Sequence, residues 1–240
     1  MEFSIKQLQK PVKFIVNLIF PIYCPICKKQ LSYQTDTYLC DACKKNIIPI
    51  TGKVCNKCGR PFINGICGIC REKQFCFSKA RASGIYDGSV RECIHFFKYK
   101  KKTYLLNTLF EVFLLPNSPD FLSCDLIVPV PLHWIRKYSR GFNQAELIGK
   151  KISKRFNIPL SKTSLKRTKA TPSQTGLSLK ERTKNIKGAF SVRNEQKLDG
   201  KRILLVDDVM TTGATVNECS RVLLQAGARE ILVYTLARGM

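Results

Sequence analysis

The chain has 240 residues, 44% of them hydrophobic, which suffices for one or two domains with a real core and excludes a disordered chain. Basic residues number 41 against 17 acidic ones, a formal charge of +24. Such an excess points to a polyanionic partner, nucleic acid or a small phosphorylated ligand, with heavily solvated lysine faces as the alternative.

Residues 1–23 read as an N-terminal amphipathic helix. The apolar stretch from Val12 to Ile22 is interrupted by Lys13 and Asn17. It falls short of the ~20 apolar residues that span a bilayer. No small-residue cleavage site follows, so a signal peptide is not expected. The expectation is a helix packed on the next module, with peripheral contact to a membrane surface as the alternative.

Residues 24–75 change in character. Eight of the twelve cysteines form four Cys-x-x-Cys pairs: Cys24 and Cys27, Cys40 and Cys43, Cys55 and Cys58, Cys67 and Cys70. Two thiolates separated by two residues grip one tetrahedral ion, and two pairs complete an S4 site suited to zinc. Sequential pairing closes the shorter loops and is favoured. Two such Zn2+ sites use every thiolate, so both are structural rather than catalytic. Zinc-bound thiolates would lower the formal charge to about +20. Metal rather than disulfide use argues for a reducing, cytoplasmic compartment. Lysines and arginines from Lys44 to Lys73 surround these knuckles, so the module either stabilises the fold or also grips a nucleic-acid strand. Cys76, Cys93, Cys124 and Cys219 are left as small buried hydrophobes. With only His95 and His133, a histidine-based metal site or triad is not expected.

Residues 79–240 show α/β patterning. "ARASGIYDG" reads as a strand. "SVRECIHFFKYK" reads as a helix with Val90, Cys93, Ile94 and Phe97 on one face, and "YLLNTLFEVFLL" as a second helix. "PNSP" is a turn, "DLIVPVPL" a buried strand, and "FNQAELIGKKISKRF" a helix. Residues 161–187, rich in Ser, Thr, Lys and Arg, read as a long exposed loop. "GAFSV", "RILLVDD" and "EILVYTLAR" are strands, with a helix from Thr215 to Gln225 between the last two. This alternation implies a parallel sheet with helices on both faces.

The segment "RILLVDDVMTTGAT" carries the chemistry. Asp207 and Asp208 stand together at the end of an apolar run, where two carboxylates gain nothing from a core. The turn of Thr211, Thr212, Gly213, Ala214 and Thr215 follows at a helix start. Backbone N–H groups there, with the positive end of the helix dipole, cradle an anion. Carboxylates beside a phosphate nest suit a ribose 5-phosphate, with the aspartates on the 2′ and 3′ hydroxyls and the turn on the phosphate. A strand's carboxyl end is where an α/β sheet binds its ligand. The bland alternative is an Asp-rich helix cap.

"LLVDDVMTTGAT" resembles the signature of type I phosphoribosyltransferases, which bind phosphoribosyl pyrophosphate (PRPP). "VPVPLHWIRKYSRGFNQAELIG" resembles a second hallmark, that of the ComF branch of the superfamily, which is associated with competence and DNA uptake. The paired cysteines and "NLIFPIYCPIC" fit that branch, so the resemblance spans essentially the whole chain. It implies a type I phosphoribosyltransferase-like, mostly parallel sheet flanked by helices, over 79–240, preceded by a double zinc ribbon over 24–75. It assigns PRPP binding to Asp207, Asp208 and residues 211–215, and places Val130, Pro131, Arg140, Gly141 and Gln144 on the pyrophosphate side. Arg140 joins the two aspartates as a candidate catalytic group. Gln174 and Arg182 fall in the mobile lid, where basic groups neutralise a leaving pyrophosphate. Lys98 and Lys100 resemble a basic family position, a surface role being the alternative.

In such transferases pyrophosphate leaves the ribose C1 through an oxocarbenium-like state. Mg2+ accompanies PRPP, held largely by the ligand's own oxygens. One departure weakens a purine acceptor: where several salvage enzymes keep an acid in the phosphate turn, this chain has Thr211. A segment to build a base-binding hood after the last strand is not expected either, since the sequence stops at Met240. Two functions stay open. One is a phosphoribosyltransferase acting on an unknown acceptor. The other is a non-catalytic component of the uptake machinery that binds single-stranded DNA, meets DNA-uptake or helicase proteins, and uses PRPP as a regulatory ligand.

Overall fold

The computed structural model describes residues 21–32, 37–113, 119–169, 185–193 and 195–240. Residues 1–20 of the expected N-terminal helix and its membrane-surface contact therefore lie outside the described residues, as do Gln174 and Arg182; residues 21–23, read as the end of that helix, are not helical, and Tyr23 bridges to Gln30. Among the described residues no helix is long and apolar enough to cross a membrane. Contacts divide the chain into two units, Met1–Ile48 with Asp87–Phe113, and Pro49–Tyr86 with Leu114–Met240.

The first unit joins the first four cysteines and the short helix α1 (Asp41–Lys45) to two later helices. As its periodicity predicts, one of these (Gly88–Tyr99) buries Val90, Cys93, Ile94 and Phe97, all fully inaccessible. The other, Leu105–Val112, buries Leu105 and Leu109. Tyr38 ties the cysteine module to it: its N–H donates to Thr108 Oγ1 at 3.2 Å, and its ring lies 4.3 Å from that of Tyr104.

The second unit is built on a four-stranded parallel sheet. Its strands are β1 (Lys79–Ile85), β2 (Leu126–Pro129), β5 (Arg202–Met210) and β6 (Glu230–Arg238), in the order β1-β6-β5-β2. Numbering the helices in chain order from α2 (Gly68–Glu72), with α3 and α4 the two of the first unit, gives α5 (Pro119–Leu122), α6 (Trp134–Arg140), α7 (Gln144–Phe156) and α8 (Ala214–Gln225). Ile203 through Val206 are buried without interruption because helices cover both faces of a central strand. In-register neighbours share a face. Val128, Leu205 and Val233 pack with Val216, Cys219 and Leu223 of α8 and with Cys55, Cys58 and Cys67. On the other face Ile127 lies against α7, close enough that a Cβ on Gly149 would meet its Cγ2 at 3.3 Å. The second cysteine cluster is thus part of the sheet domain's own core.

Two sequence expectations shift. "GAFSV" forms a strand, β4 (Phe190–Val192), but it pairs antiparallel with β3 (Leu165–Arg167) in a separate two-stranded ladder. β3 itself lies inside the segment read as a continuous loop. Local propensity marks a strand but does not choose its partner. Second, β5 runs past the aspartates to Met210, because Val209 and Met210 continue the ladder with Ala237 and Arg238.

Candidate functional site

Asp207 and residues 209–216 line one pocket at the carboxyl end of β5. Asp207 is half-buried, and its carboxylate accepts the backbone N–H of Asp208 at 2.8 Å. Strand alternation sends the two carboxylates to opposite faces of the sheet. Asp208 is 8% exposed and is not among the pocket's lining residues. The turn reverses through Gly213 at φ +79°, where a Cβ would stand 2.9 Å from Met210 Cε and 3.1 Å from Phe75 Cε1. Gly213 is the N-cap of α8 and brings no side chain to cap it. Thr212 Oγ1 accepts from Ala214 N at 3.3 Å, which shapes the turn. Thr211, Thr212, Ala214 and Thr215 are partly exposed along it. The arrangement offers a carboxylate, hydroxyls and a helix start to one small ligand.

A second loop leaves the neighbouring strand at the same end of the sheet. Val130 N donates to Val206 O at 2.8 Å, holding the start of this loop beside β5. Asn143 closes it: Nδ2 donates to Val130 O at 3.0 Å, while Oδ1 caps α7 by accepting from Ala145 N at 3.1 Å. Between them Pro131 is partly exposed, α6 carries Arg140, and Gly141 ends α6 in the left-handed region at φ +80°. Arg140 Nη1 donates to Gln144 Oε1 at 3.2 Å. Gln144 is only 1% exposed, and its Nε2 has no hydrogen-bond partner among the described residues. A buried amide with unfilled donors is costly to keep.

The cysteines assemble by sequence order. Cys24, Cys27, Cys40 and Cys43 form one group and Cys55, Cys58, Cys67 and Cys70 the other, with sulfurs within 4.8 Å of one another in each. All twelve cysteines are free of disulfides. Contacts of 3.4 Å (Cys27 to Cys40) and 3.8 Å (Cys58 to Cys67) suit the edge of a Zn–S4 tetrahedron, about 3.8 Å. The two groups are built alike. Lys28 N donates to Cys24 O as Gly59 N does to Cys55 O, and Cys40 and Cys67 each precede a one-turn helix. Burial pushes the Cys55 thiol up, but backbone N–H groups of Cys58, Cys67 and Lys57 outweigh it and bring it down to about 6. Cys24 falls to about 7 in the same way. Both four-sulfur groups fit structural zinc, with no open position for catalysis.

Residues 15–78 match the double zinc ribbon domain family and residues 143–240 the phosphoribosyl transferase domain family. Competence protein F of Haemophilus influenzae is 33% identical over 91% of this chain and 98% of its own length. The chain belongs to the ComF family. Two further relatives extend it. DNA utilization protein YhgH of Escherichia coli K12 is 31% identical over 92% of this chain and 99% of its own. Competence protein ComFC of Bacillus subtilis is 26% identical over 92% and 96%.

Several residues of this ComF-family chain escape a reading by motif. Arg167, at the end of β3, is 7% exposed, with its guanidinium carbon 5.5 Å over the Phe190 ring. Burial and the nearby Arg136 pull its guanidinium below the usual range, while Cys219 and Asp207 oppose them. Nothing in "SLKRTK" sets it apart from the neighbouring cations. Glu218 on α8 holds Gly188, just after the segment that the family resemblance assigns to the lid. Asn185 lies on that same returning stretch. Lys98 and Lys100 belong to the first unit, at the end of α3.

Proposed function

We propose that this protein binds PRPP in the pocket after β5 and acts in DNA uptake, as the names of its relatives suggest. The observation that carries the reading is the joint lining of one pocket by Asp207 and the turn 211–215. Asp207 takes a ribose hydroxyl as a charged acceptor, and Asp208 supports the strand end behind it. The turn's N–H groups and the Thr211, Thr212 and Thr215 hydroxyls take the 5′-phosphate. Arg140 at the end of α6 and the buried Gln144 amide at the start of α7, on the stretch that follows β2, take pyrophosphate oxygens. Mg2+ would be held mainly by the ligand's oxygens and would neutralise the leaving pyrophosphate. With these parts the site supports phosphoribosyl transfer from C1, and Thr211 leaves no acid in the turn to deprotonate a purine.

A second reading, single-stranded DNA binding, is favoured by α6. Trp134 is 70% exposed and Tyr138 89%, on a helix that also carries Arg136, Lys137 and Arg140. Exposed rings among cations make a platform for unpaired bases. PRPP then serves as substrate or as regulator. Calorimetry with PRPP and Mg2+, with and without an oligonucleotide, separates these cases. Absence of PRPP binding by zinc-loaded protein rejects the pocket assignment. Pyrophosphate release that depends on an acceptor establishes an enzyme.

A further inference from the structure

Arg238, the last residue of β6, is 2% exposed, and a guanidinium at that depth is costly unless its donors are used. Its Nη1 donates to two backbone carbonyls of the phosphate turn, Met210 O at 3.3 Å and Thr211 O at 2.9 Å. Of the charged groups around the guanidinium, the Cys58 thiolate of the second cysteine group is the foremost that favours its charge, while its Nε has no hydrogen-bond partner among the described residues. From the segment just after that group, Phe75 packs on Gly213, the residue about which the turn reverses. Arg238 and Phe75 thus both meet one four-residue bend, whose Met210 packs in the same core as Cys55, Cys58 and Cys67.

We propose that Arg238 is a positioning residue, clamped between the second zinc site and the phosphate turn, so that zinc at Cys55, Cys58, Cys67 and Cys70 sets the shape and ligand affinity of that turn. A Zn2+ ion with four thiolates carries a net charge of about −2. That is the counter-charge a buried guanidinium needs. Loss of the metal unties the cysteines that pack with Met210 in one core and removes the counter-charge. The two carbonyl hydrogen bonds then hold the turn less firmly, and its N–H groups no longer converge. That the turn binds a phosphate rests on the function proposed above; the clamp itself does not.

The test measures amide hydrogen exchange over residues 209–216 in the ligand-free full chain, together with zinc content and calorimetric affinity for PRPP with Mg2+. Cys70→Ser and Arg238→Met are expected to speed exchange in the turn while residues 203–206 stay protected. PRPP affinity is expected to fall about 10- to 100-fold. Arg238→Lys keeps the charge but loses the planar guanidinium that aims Nη1 at both carbonyls, so it should retain zinc and show an intermediate rise. Cys43→Ser, which disables the other cluster, should leave turn exchange at the wild-type rate. Turn exchange unchanged in Arg238→Lys at full zinc content overturns the clamp, even if Arg238→Met fails to fold. An equal rise in Cys43→Ser and Cys70→Ser overturns it as well. Should wild-type protein fail to bind PRPP while Cys70→Ser still loosens the turn, the clamp stands and the ligand assignment falls.

Discussion

Glu218 Oε1 accepts the backbone N–H of Gly188 at 2.7 Å, across 30 residues of sequence. The same carboxylate is gripped by Arg221, Nη2 to Oε1 at 2.7 Å and Nε to Oε2 at 3.0 Å. The chain returning toward β4 is thereby fixed to α8, the helix that starts in the pocket-lining turn. The Arg221 hydrogen bonds foremost, against the cost of burial, hold the Glu218 carboxyl below its ordinary value. A depressed carboxyl contributes stability above its unfolded value, about 4.3, and loses it as pH falls through the folded one. Glu218→Gln should therefore melt below wild type at neutral pH. That gap should shrink in thermal scans once pH drops below about 4. A gap that persists unchanged into acid would show that the charge is not what matters.

Asp207 and Asp208 are expected to separate on substitution, because only Asp207 lines the pocket. Asp207→Asn should weaken PRPP binding by about 10- to 100-fold, the worth of a hydrogen bond to a charged acceptor. Asp208→Asn should cost less affinity and more stability, since its carboxylate is nearly buried. The double variant should bind PRPP no better than Asp207→Asn yet keep its fold. Calorimetry paired with circular dichroism measures both effects.

Gly59 and Lys28 occupy the same place in their two cysteine knuckles, at φ +68° and +65°. A Cβ on Gly59 would stand 2.4 Å from Ala80 O of β1, whose N–H already donates to Lys57 O at 2.7 Å. Gly59→Ala should cost about 1–3 kcal/mol by denaturant unfolding, through strain and displacement of β1. Lys28→Gly relieves a left-handed backbone worth about 1–2 kcal/mol. It also loses the ammonium 5.9 Å over the Phe96 ring, worth about 0.5–1 kcal/mol. Its net change should be small and of opposite sign.

Trp134→Ala with Tyr138→Ala should lower single-stranded DNA affinity by about 1–3 kcal/mol per stacked base. The salt dependence should stay put, because no phosphate contact is removed. Lys137→Ala should instead flatten the slope of affinity against salt by about one counterion. Fluorescence anisotropy across a salt series distinguishes the two. Equal effects on affinity and slope from both variants would argue against a stacking platform.

The cysteine spacing and the Asp-to-Thr turn were legible because each is local geometry. Two residues between thiolates make a chelate, and a strand, a tight turn and a helix start make an anion site. The buried face of α3 was legible from its 3.6-residue period. Other features depend on partners distant in sequence. That "GAFSV" pairs with β3 rather than joining the sheet is decided by which strand lies beside it. So is the extension of β5 to Met210.

From residue order alone follow two four-sulfur zinc-fitting sites, a parallel α/β sheet and a tight Thr/Gly turn between strand and helix, since each depends on groups a few residues apart. Tertiary packing alone decided that the second cysteine cluster shares the sheet's core while the first packs with α3 and α4. It alone brought Arg238 from the end of β6 to the carbonyls of Met210 and Thr211. Burial of a charge is settled by what surrounds it, and those surroundings come from segments that the linear pattern does not join.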